Sequence, residues 1–81
     1  MTKFINVTPM NDYKLEISTD SNQVFIFDVL PEIKRIDCYK SLLDSNFFKA
    51  VKFNCHRIYW DKDHDFHIDQ VLHSAVEIAQ P

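Results

Sequence analysis

The chain has 81 residues and contains no glycine. Loops that cradle phosphates, the dinucleotide-binding turn and the strained turn that presents a serine nucleophile all need glycine, because their backbone adopts positive φ or lies very close to a ligand. None of these three kinds of site can be present in its standard form. Tight turns must instead use asparagine or aspartate, and Asn22 is the best candidate for positive φ.

Cysteine is also scarce, since Cys38 and Cys55 are the only two. Their isolation predicts two free thiols, buried or half-buried, and gives no support to a disulfide or a structural zinc site. The chain also lacks a run of about 18 apolar residues that would span a bilayer, and its N-terminal segment has no signal-peptide pattern. We therefore expect a cytoplasmic protein without membrane contact.

The residues that are present are typical of a single small globular domain, residues 1–81. The chain is 46% apolar and 14% aromatic, whereas a disordered chain would have fewer aromatic residues and a larger net charge. A core in a chain of this length rarely supplies more than about 3–5 kcal/mol of net stability. We therefore expect a protein partner or a homodimer.

Apolar segments predict the strands of an antiparallel sheet. The first three strands are predicted at residues 4–8, 13–18 and 23–29. The second alternates apolar and polar residues, as a half-buried strand does, whereas the third is apolar on both faces and should lie centrally beneath a helix. A tight hairpin turn is predicted at Asn54–His56, followed by a strand at residues 57–60.

Helical spacing of apolar residues appears in two places. After Pro31, one stripe carries Ile36, Tyr39, Leu42 and Leu43. From Ile68 onward, the core face of a final helix carries Val71, Leu72, Ala75, Val76 and Ala79. The predicted order is therefore β-β-β-α-β-β-α, which indicates an α+β domain with a small, mainly antiparallel sheet packed against two or three short helices.

The stretch WDKDHDFHID, Trp60–Asp69, concentrates four aspartates and two histidines. Its alternating aspartates match the start of a calcium-binding loop. Phe66 stands where that loop needs glycine for a sharp turn, and Leu72 stands where it needs a bidentate glutamate. Calcium binding of this type is excluded.

A transition-metal site built from His64, His67 and Asp69 is an alternative hypothesis for the same stretch. We favour a solvated turn between a strand and the final helix, without a cofactor. In that turn His67 lies near the helix N-cap, and Asp69 stabilises the positive end of the helix dipole. Asp65 is expected to accept backbone N–H bonds in the connection to the helix.

Charge is distributed unevenly, because residues 34–60 are net positive and both ends of the chain are net negative. A nucleic-acid-binding face is an alternative hypothesis for the basic segment. Its basic residues are Lys34, Arg35, Lys40, Lys49, Lys52 and Arg57. We favour a solvated surface of mixed charge.

No set of residues predicts catalysis. The serines lack the context of a nucleophile, and Cys55 and His56 are neighbours that should point to opposite faces of a strand. We therefore expect a protein that is not an enzyme. Trp60 is predicted to lie in the core, which leaves Tyr59 pointing outward beside Arg57, a combination enriched in protein interfaces.

Several segments together resemble the small bacterial domain of unknown function 2442. Two of them are Val-Phe-Ile-Phe-Asp at residues 24–28 and Leu-Leu-Asp-Ser-Asn-Phe-Phe-Lys-Ala-Val at residues 42–51. The third, residues 59–66, begins with Tyr-Trp and ends with Asp-Phe, with four residues between these pairs. The resemblance covers roughly residues 3 to 72, and its main markers are Phe27, Asp28, Phe48, Trp60 and Asp65. Relatives commonly carry glycine in three turns where this chain has other residues.

The resemblance implies a protein without an established catalytic activity. Members of the family are often encoded beside another small protein, in an arrangement like that of toxin and antitoxin genes. The resemblance therefore implies a non-enzymatic interaction domain that binds a co-encoded protein, as an antitoxin binds its toxin. Some relatives add a helix-turn-helix domain, which residues 1–81 do not contain.

Overall fold

The structure is a computed structural model that describes residues 2–78. It is an α+β domain in which every strand pairing within these residues is antiparallel, which confirms the predicted fold class. The strands form two sheets instead of the one that we predicted. The larger sheet contains, in chain order, Phe4–Met10 (β1), Lys14–Thr19 (β2), Val24–Asp28 (β3) and, last in the chain, Val76–Ile78 (β7). The smaller sheet contains Lys52–Phe53 (β4), Arg57–Asp61 (β5) and His64–His67 (β6).

Short helices connect the two sheets. They are Leu30–Arg35 (α1), Ser45–Lys49 (α2), Ile68–Ser74 (α3) and a 3-10 helix at Asp37–Leu43. The first begins one residue before Pro31, because proline is well suited to the first turn of a helix. The single helical stripe that we predicted after Pro31 is divided at Ile36, whose extended backbone (φ −115°, ψ 112°) separates α1 from the 3-10 helix.

The turns of this glycine-free chain rely on asparagine and aspartate. Asn22 adopts φ 60° in the turn between β2 and β3, which confirms the prediction for that residue. Asp12 and Tyr13 also have positive φ, 61° and 60°, between β1 and β2. In the turn between β4 and β5 the Asn54 side chain accepts the N–H groups of His56 (2.9 Å) and Arg57 (2.8 Å), so a side-chain oxygen stabilises the predicted hairpin.

The core lies between the facing sides of the two sheets. Phe27 of β3 and Phe66 of β6 meet edge to face with ring centroids 5.3 Å apart, and this pair joins the sheets. Trp60 is also in the core, as predicted, with 4% of its surface exposed. Its indole N–H donates to the Phe48 carbonyl at 2.8 Å, so the polar end of the ring is satisfied inside the core.

The stretch Trp60–Asp69 is not the simple turn that we expected, because residues 64–67 form a strand. β6 returns antiparallel along β5 after a two-residue turn in which the Asp63 N–H donates to the Asp61 carboxylate at 2.9 Å. Phe66 is completely buried between two polar neighbours. Polar and charged residues therefore surround Phe66 within a half-buried strand. The alternation of apolar and polar residues that marks such a strand is visible only at that single phenylalanine.

The final helix is also shorter than predicted. It ends at Ser74, and Ala75 is extended (ψ 152°), so that Val76–Ile78 pairs with β3 as a strand. Val76 is therefore 68% exposed on the sheet instead of buried on a helix. Its β-branched side chain suits a strand, and the pairing satisfies backbone groups of β3. The predicted core position Ala79 lies outside the described residues.

Asp44 caps α2, and we expect its replacement by alanine to destabilise the domain. Its carboxylate accepts the N–H groups of Asn46 (2.9 Å) and Phe47 (3.4 Å) at the start of this helix. Asp44→Ala should lower the free energy of unfolding by about 1 kcal/mol, measured by urea denaturation. Asp37→Ala is the matched control, because the side chain of Asp37 is 94% exposed; an equal loss in both variants would contradict the capping role.

Candidate functional site

The main polar cluster surrounds His64, where the β5–β6 hairpin meets the 3-10 helix. The imidazole is 13% exposed. Its Nδ1 lies 2.7 Å from the Asp61 carboxylate, and its Nε2 lies 2.7 Å from the Cys38 carbonyl oxygen. The Ser41 hydroxyl oxygen is 3.0 Å from the same Nε2. One half-buried histidine therefore connects the hairpin to the 3-10 helix by side-chain hydrogen bonds.

These contacts define the charge of His64. A carboxylate and a carbonyl oxygen can only accept hydrogen bonds, so both ring nitrogens must donate, and an imidazole that does so is a cation. The hydrogen bond that His64 donates to Asp61 raises the pKa of His64 above its ordinary value of 6.5, although partial burial acts in the opposite direction. The same bond holds the pKa of the Asp61 carboxyl below 3.8. Both contacts therefore favour the charged form of His64, paired with the Asp61 carboxylate.

Ser41, His64 and Asp61 are connected in the order of a hydrolytic serine–histidine–aspartate triad. In such a triad the histidine nitrogen beside the serine must carry a lone pair that takes the hydroxyl proton. Here that nitrogen lies closer to the Cys38 carbonyl, to which it donates. The charged form of the cluster therefore lacks the base that a serine nucleophile needs. Sequence analysis missed the contact because Ser41 and His64 are 23 residues apart.

The residues of the metal hypothesis are not brought together. His64 and Phe66 share the core side of β6, whereas His67 contacts Asp69 on the opposite side, 3.7 Å between Nδ1 and the carboxylate. Within residues 2–78 no three histidine, cysteine or acidic side chains are grouped so that they could hold a metal ion. His67 is the N-cap residue of α3, as expected, and its Nδ1 accepts the Asp69 N–H at 3.3 Å.

The outer face of the smaller sheet carries the two predicted partner-binding residues, Arg57 and Tyr59. The guanidinium carbon of Arg57 lies 5.5 Å from the centre of the Tyr59 ring. Its Nε atom donates to a carboxylate oxygen of Asp65 at 3.0 Å, and its Nη2 atom lies 2.9 Å from the same oxygen. Asp65 thus binds a side chain instead of the backbone N–H groups that we expected. This ion pair offsets the charge of Arg57 on that face.

The other family markers are structural in this chain. Phe27, Phe48 and Trp60 are all buried in the core. Asp28 is exposed at the end of β3, and its carboxylate accepts the N–H of Leu30 at 3.2 Å, at the beginning of α1. Packing and a hydrogen bond at the start of a helix therefore account for these four residues in this chain.

Half of the basic residues of the middle segment are paired with acidic side chains. Arg35 pairs with Glu32, Lys40 with Asp37, and Arg57 with Asp65, so acidic partners neutralise three of the six. The other three are exposed but belong to different elements: Lys34 to α1, Lys49 to α2 and Lys52 to β4. This arrangement weakens the electrostatic argument for nucleic-acid binding.

A cleft of about 350 Å³ lies beside the start of α3. Its lining residues are Thr2, His56, His67, Ile68, Asp69 and Leu72. The Nε2 atom of His56 is buried and has no hydrogen-bond partner within the described part of the chain. The cleft has the size of a small-ligand site, but its walls mix one acid, two histidines and two aliphatic side chains, which do not select one class of ligand.

A partly exposed aliphatic patch lies on the outer face of the larger sheet. On β3, Val24 and Ile26 alternate with Phe25 and the buried Phe27. Val24 is paired with Ile78, and Ile26 with Val76. We define the aliphatic patch as Val24, Ile26, Val76 and Ile78.

The aliphatic patch continues to the edge of the sheet. Its β7 members, Val76 and Ile78, are 68% and 37% exposed. Within residues 2–78, β7 is the last strand of the larger sheet, with β3 as its only neighbour. An apolar surface therefore adjoins a strand edge whose outward backbone groups are unpaired within these residues. Sequence analysis missed this site because it assigned Val76 to a helix.

Comparisons with protein-family models, curated proteins and solved structures find no match to this chain. The resemblance to the domain of unknown function 2442 therefore stays a hypothesis. None of the helices within residues 2–78 has the length and apolar character needed to cross a bilayer. Cys38 and Cys55 are both exposed free thiols, so the expectation of at least partial burial was wrong.

Proposed function

We propose that this domain is a non-enzymatic binding module that receives an extended segment of a partner protein along β7. The observation that carries the proposal is the 68% exposure of Val76 within the aliphatic patch, at the edge of the sheet. Exposed apolar groups that adjoin one another favour burial by a partner. Unpaired backbone groups at a sheet edge supply the hydrogen bonds that an added strand needs.

Charge at the edge supports a partner other than a second copy. Glu77 lies between the two exposed aliphatic residues of β7 and accepts a hydrogen bond from Gln23 at 3.3 Å. Two β7 strands paired antiparallel about Glu77 would place like charges opposite each other, which is destabilising. The complementary partner strand carries apolar residues against the aliphatic patch and a lysine or arginine opposite Glu77.

A co-encoded small protein is our proposal for this partner, in an antitoxin-like arrangement that the family resemblance implies. This part of the proposal depends on family analogy and not on the geometry of the site. The cytoplasmic location predicted from the sequence belongs to the same proposal.

Replacing Val76 should weaken partner binding. Val76→Glu puts a charge into the aliphatic patch without touching the core, so we expect at least about a tenfold loss of affinity, as for a central interface residue. The measurement is affinity capture of the tagged protein from host lysate at high salt, followed by titration of the recovered partner. Circular dichroism of the variant checks its fold.

Ile5→Glu is the matched control, because Ile5 is 57% exposed on β1 at the other edge of the same sheet. The control should retain the partner. Retention of the partner by Val76→Glu, or equal loss in both variants, would rule out the β7 site. Recovery of nucleic acid that is removed by salt would instead favour the nucleic-acid hypothesis.

A further inference from the structure

We propose that His64 is a pH-sensitive clamp that exchanges one hydrogen-bond partner when it loses its proton. In the cationic form the ring bridges Asp61 and the Cys38 carbonyl. In the neutral form it keeps Asp61 but releases the carbonyl and accepts the hydroxyl of Ser41. The inference is independent of partner binding at β7.

The described geometry corresponds to the cationic form. The distances from the ring nitrogens to the Asp61 and Cys38 oxygens are both 2.7 Å, which is short enough for charge-assisted hydrogen bonds. The rings of Tyr39 and Phe47 lie with centroids 5.4 and 5.8 Å from that of His64. Neighbours from three elements thus surround the ring, and the Asp61 carboxylate among them favours its charged state.

Loss of the proton makes one of the two bonds impossible, because a neutral imidazole has a single N–H group. The proton stays on Nδ1, since the neighbouring Asp61 is an anion that can only accept. Nε2 then carries a lone pair that faces the Cys38 carbonyl oxygen, and two acceptors at 2.7 Å repel each other. The Ser41 hydroxyl, at 3.0 Å, can rotate to donate its proton to that lone pair.

The exchange releases the 3-10 helix from one of its attachments to the hairpin. Asp61 and Asp63 of the hairpin both favour the cation and oppose the exchange. From the 3-10 helix, the Tyr39 hydroxyl stays neutral through this pH range because burial raises its pKa above 10.0. The Cys38 thiol is exposed, and Phe47 of α2 carries no charge.

The sign of the pH dependence follows from the direction of the shift. Because the pKa of His64 in the folded chain lies above its ordinary value of 6.5, the stabilisation is fully present below about pH 6.5 and is lost as the pH rises through the folded-state pKa. The hydrogen bond to Asp61 is lost only in acid, as the pH falls through the pKa of the Asp61 carboxyl, which lies below 3.8. The clamp therefore holds the Cys38 carbonyl in weak acid and exchanges it for the Ser41 hydroxyl as the pH rises through the His64 pKa, which lies above 6.5.

Titration of the ring nitrogens by ¹⁵N NMR of the full chain tests the exchange. We expect the titration midpoint of His64 to lie above pH 6.5, the ordinary value. In the neutral form the proton should be on Nδ1. Ser41→Ala removes the partner of the neutral form, so the proton affinity should rise by about 2- to 10-fold. Asp61→Asn removes the carboxylate charge and should lower the proton affinity by about tenfold or more.

Ser74→Ala is the control, because this exposed serine at the end of α3 belongs to another part of the fold and should leave the His64 midpoint unchanged. A midpoint at or below pH 6.5, the ordinary value, would overturn the clamp. An unchanged or lowered midpoint in Ser41→Ala, an unchanged midpoint in Asp61→Asn, or a neutral form with its proton on Nε2 would each overturn it as well.

Discussion

Phe66→Ala is expected to leave the chain unfolded under conditions in which the wild type folds. The Phe66 ring is completely buried and meets the rings of Phe27, Tyr39 and Trp60 at centroid distances of 5.3, 5.2 and 6.0 Å. Removing such a ring costs about 3–5 kcal/mol, which is as much as the whole net stability of a core of this size, about 3–5 kcal/mol. Circular dichroism and the dispersion of amide NMR signals measure the loss.

Phe53→Ala is the matched control, because it removes the same ring from a half-buried position on the edge strand β4. Its side chain lies at the margin of the core, so this variant should stay folded and lose only part of the stability. A folded Phe66→Ala protein that is no less stable than Phe53→Ala would show that the junction of the two sheets does not depend on Phe66.

Trp60→Phe is expected to have the next largest effect, a loss of about 1–3 kcal/mol in the free energy of unfolding. The substitution keeps an aromatic ring but removes the indole N–H that donates to the Phe48 carbonyl at 2.8 Å. That carbonyl would then be buried without its donor, and the smaller ring would leave unfilled space. Urea denaturation followed by circular dichroism measures the change, since the chain has no second tryptophan for fluorescence.

Tyr59→Phe provides the comparison on the same strand. It removes one hydroxyl from the outer face of the smaller sheet, where Tyr59 is only half-buried. We expect a change within about 0.5 kcal/mol, as for most surface substitutions. Equal losses in Trp60→Phe and Tyr59→Phe would mean that the bond to Phe48 contributes nothing to stability.

The strands of the first half could be predicted because their residues carry a local signal. Leu15 and Ile17 alternate with polar residues and are both completely buried. The strand at His64–His67 lacks this signal, because one phenylalanine among charged residues shows too little of a pattern. Its pairing with β5, and not its own composition, makes it a strand.

The candidate sites were harder to predict than the fold. Arg57 and Tyr59 were correctly expected to be neighbours, since they are two apart on one strand. The neutralisation of Arg57 by Asp65 depends on the register between β5 and β6, which sequence spacing does not specify. The contact of His64 with Cys38 depends on how the 3-10 helix packs against the hairpin.

The sequence by itself determined the properties that depend on local backbone energetics and composition. It excluded sites that require glycine, predicted the α+β class, and placed positive φ at Asn22, because only a few residue types tolerate that conformation. Tertiary structure alone decided that Val76–Ile78 is a strand and that His64 lies between the oxygens of Asp61 and Cys38. The β3 partner of Val76–Ile78 and the Cys38 partner of His64 are distant in sequence, so neither arrangement follows from the local preference of the segment.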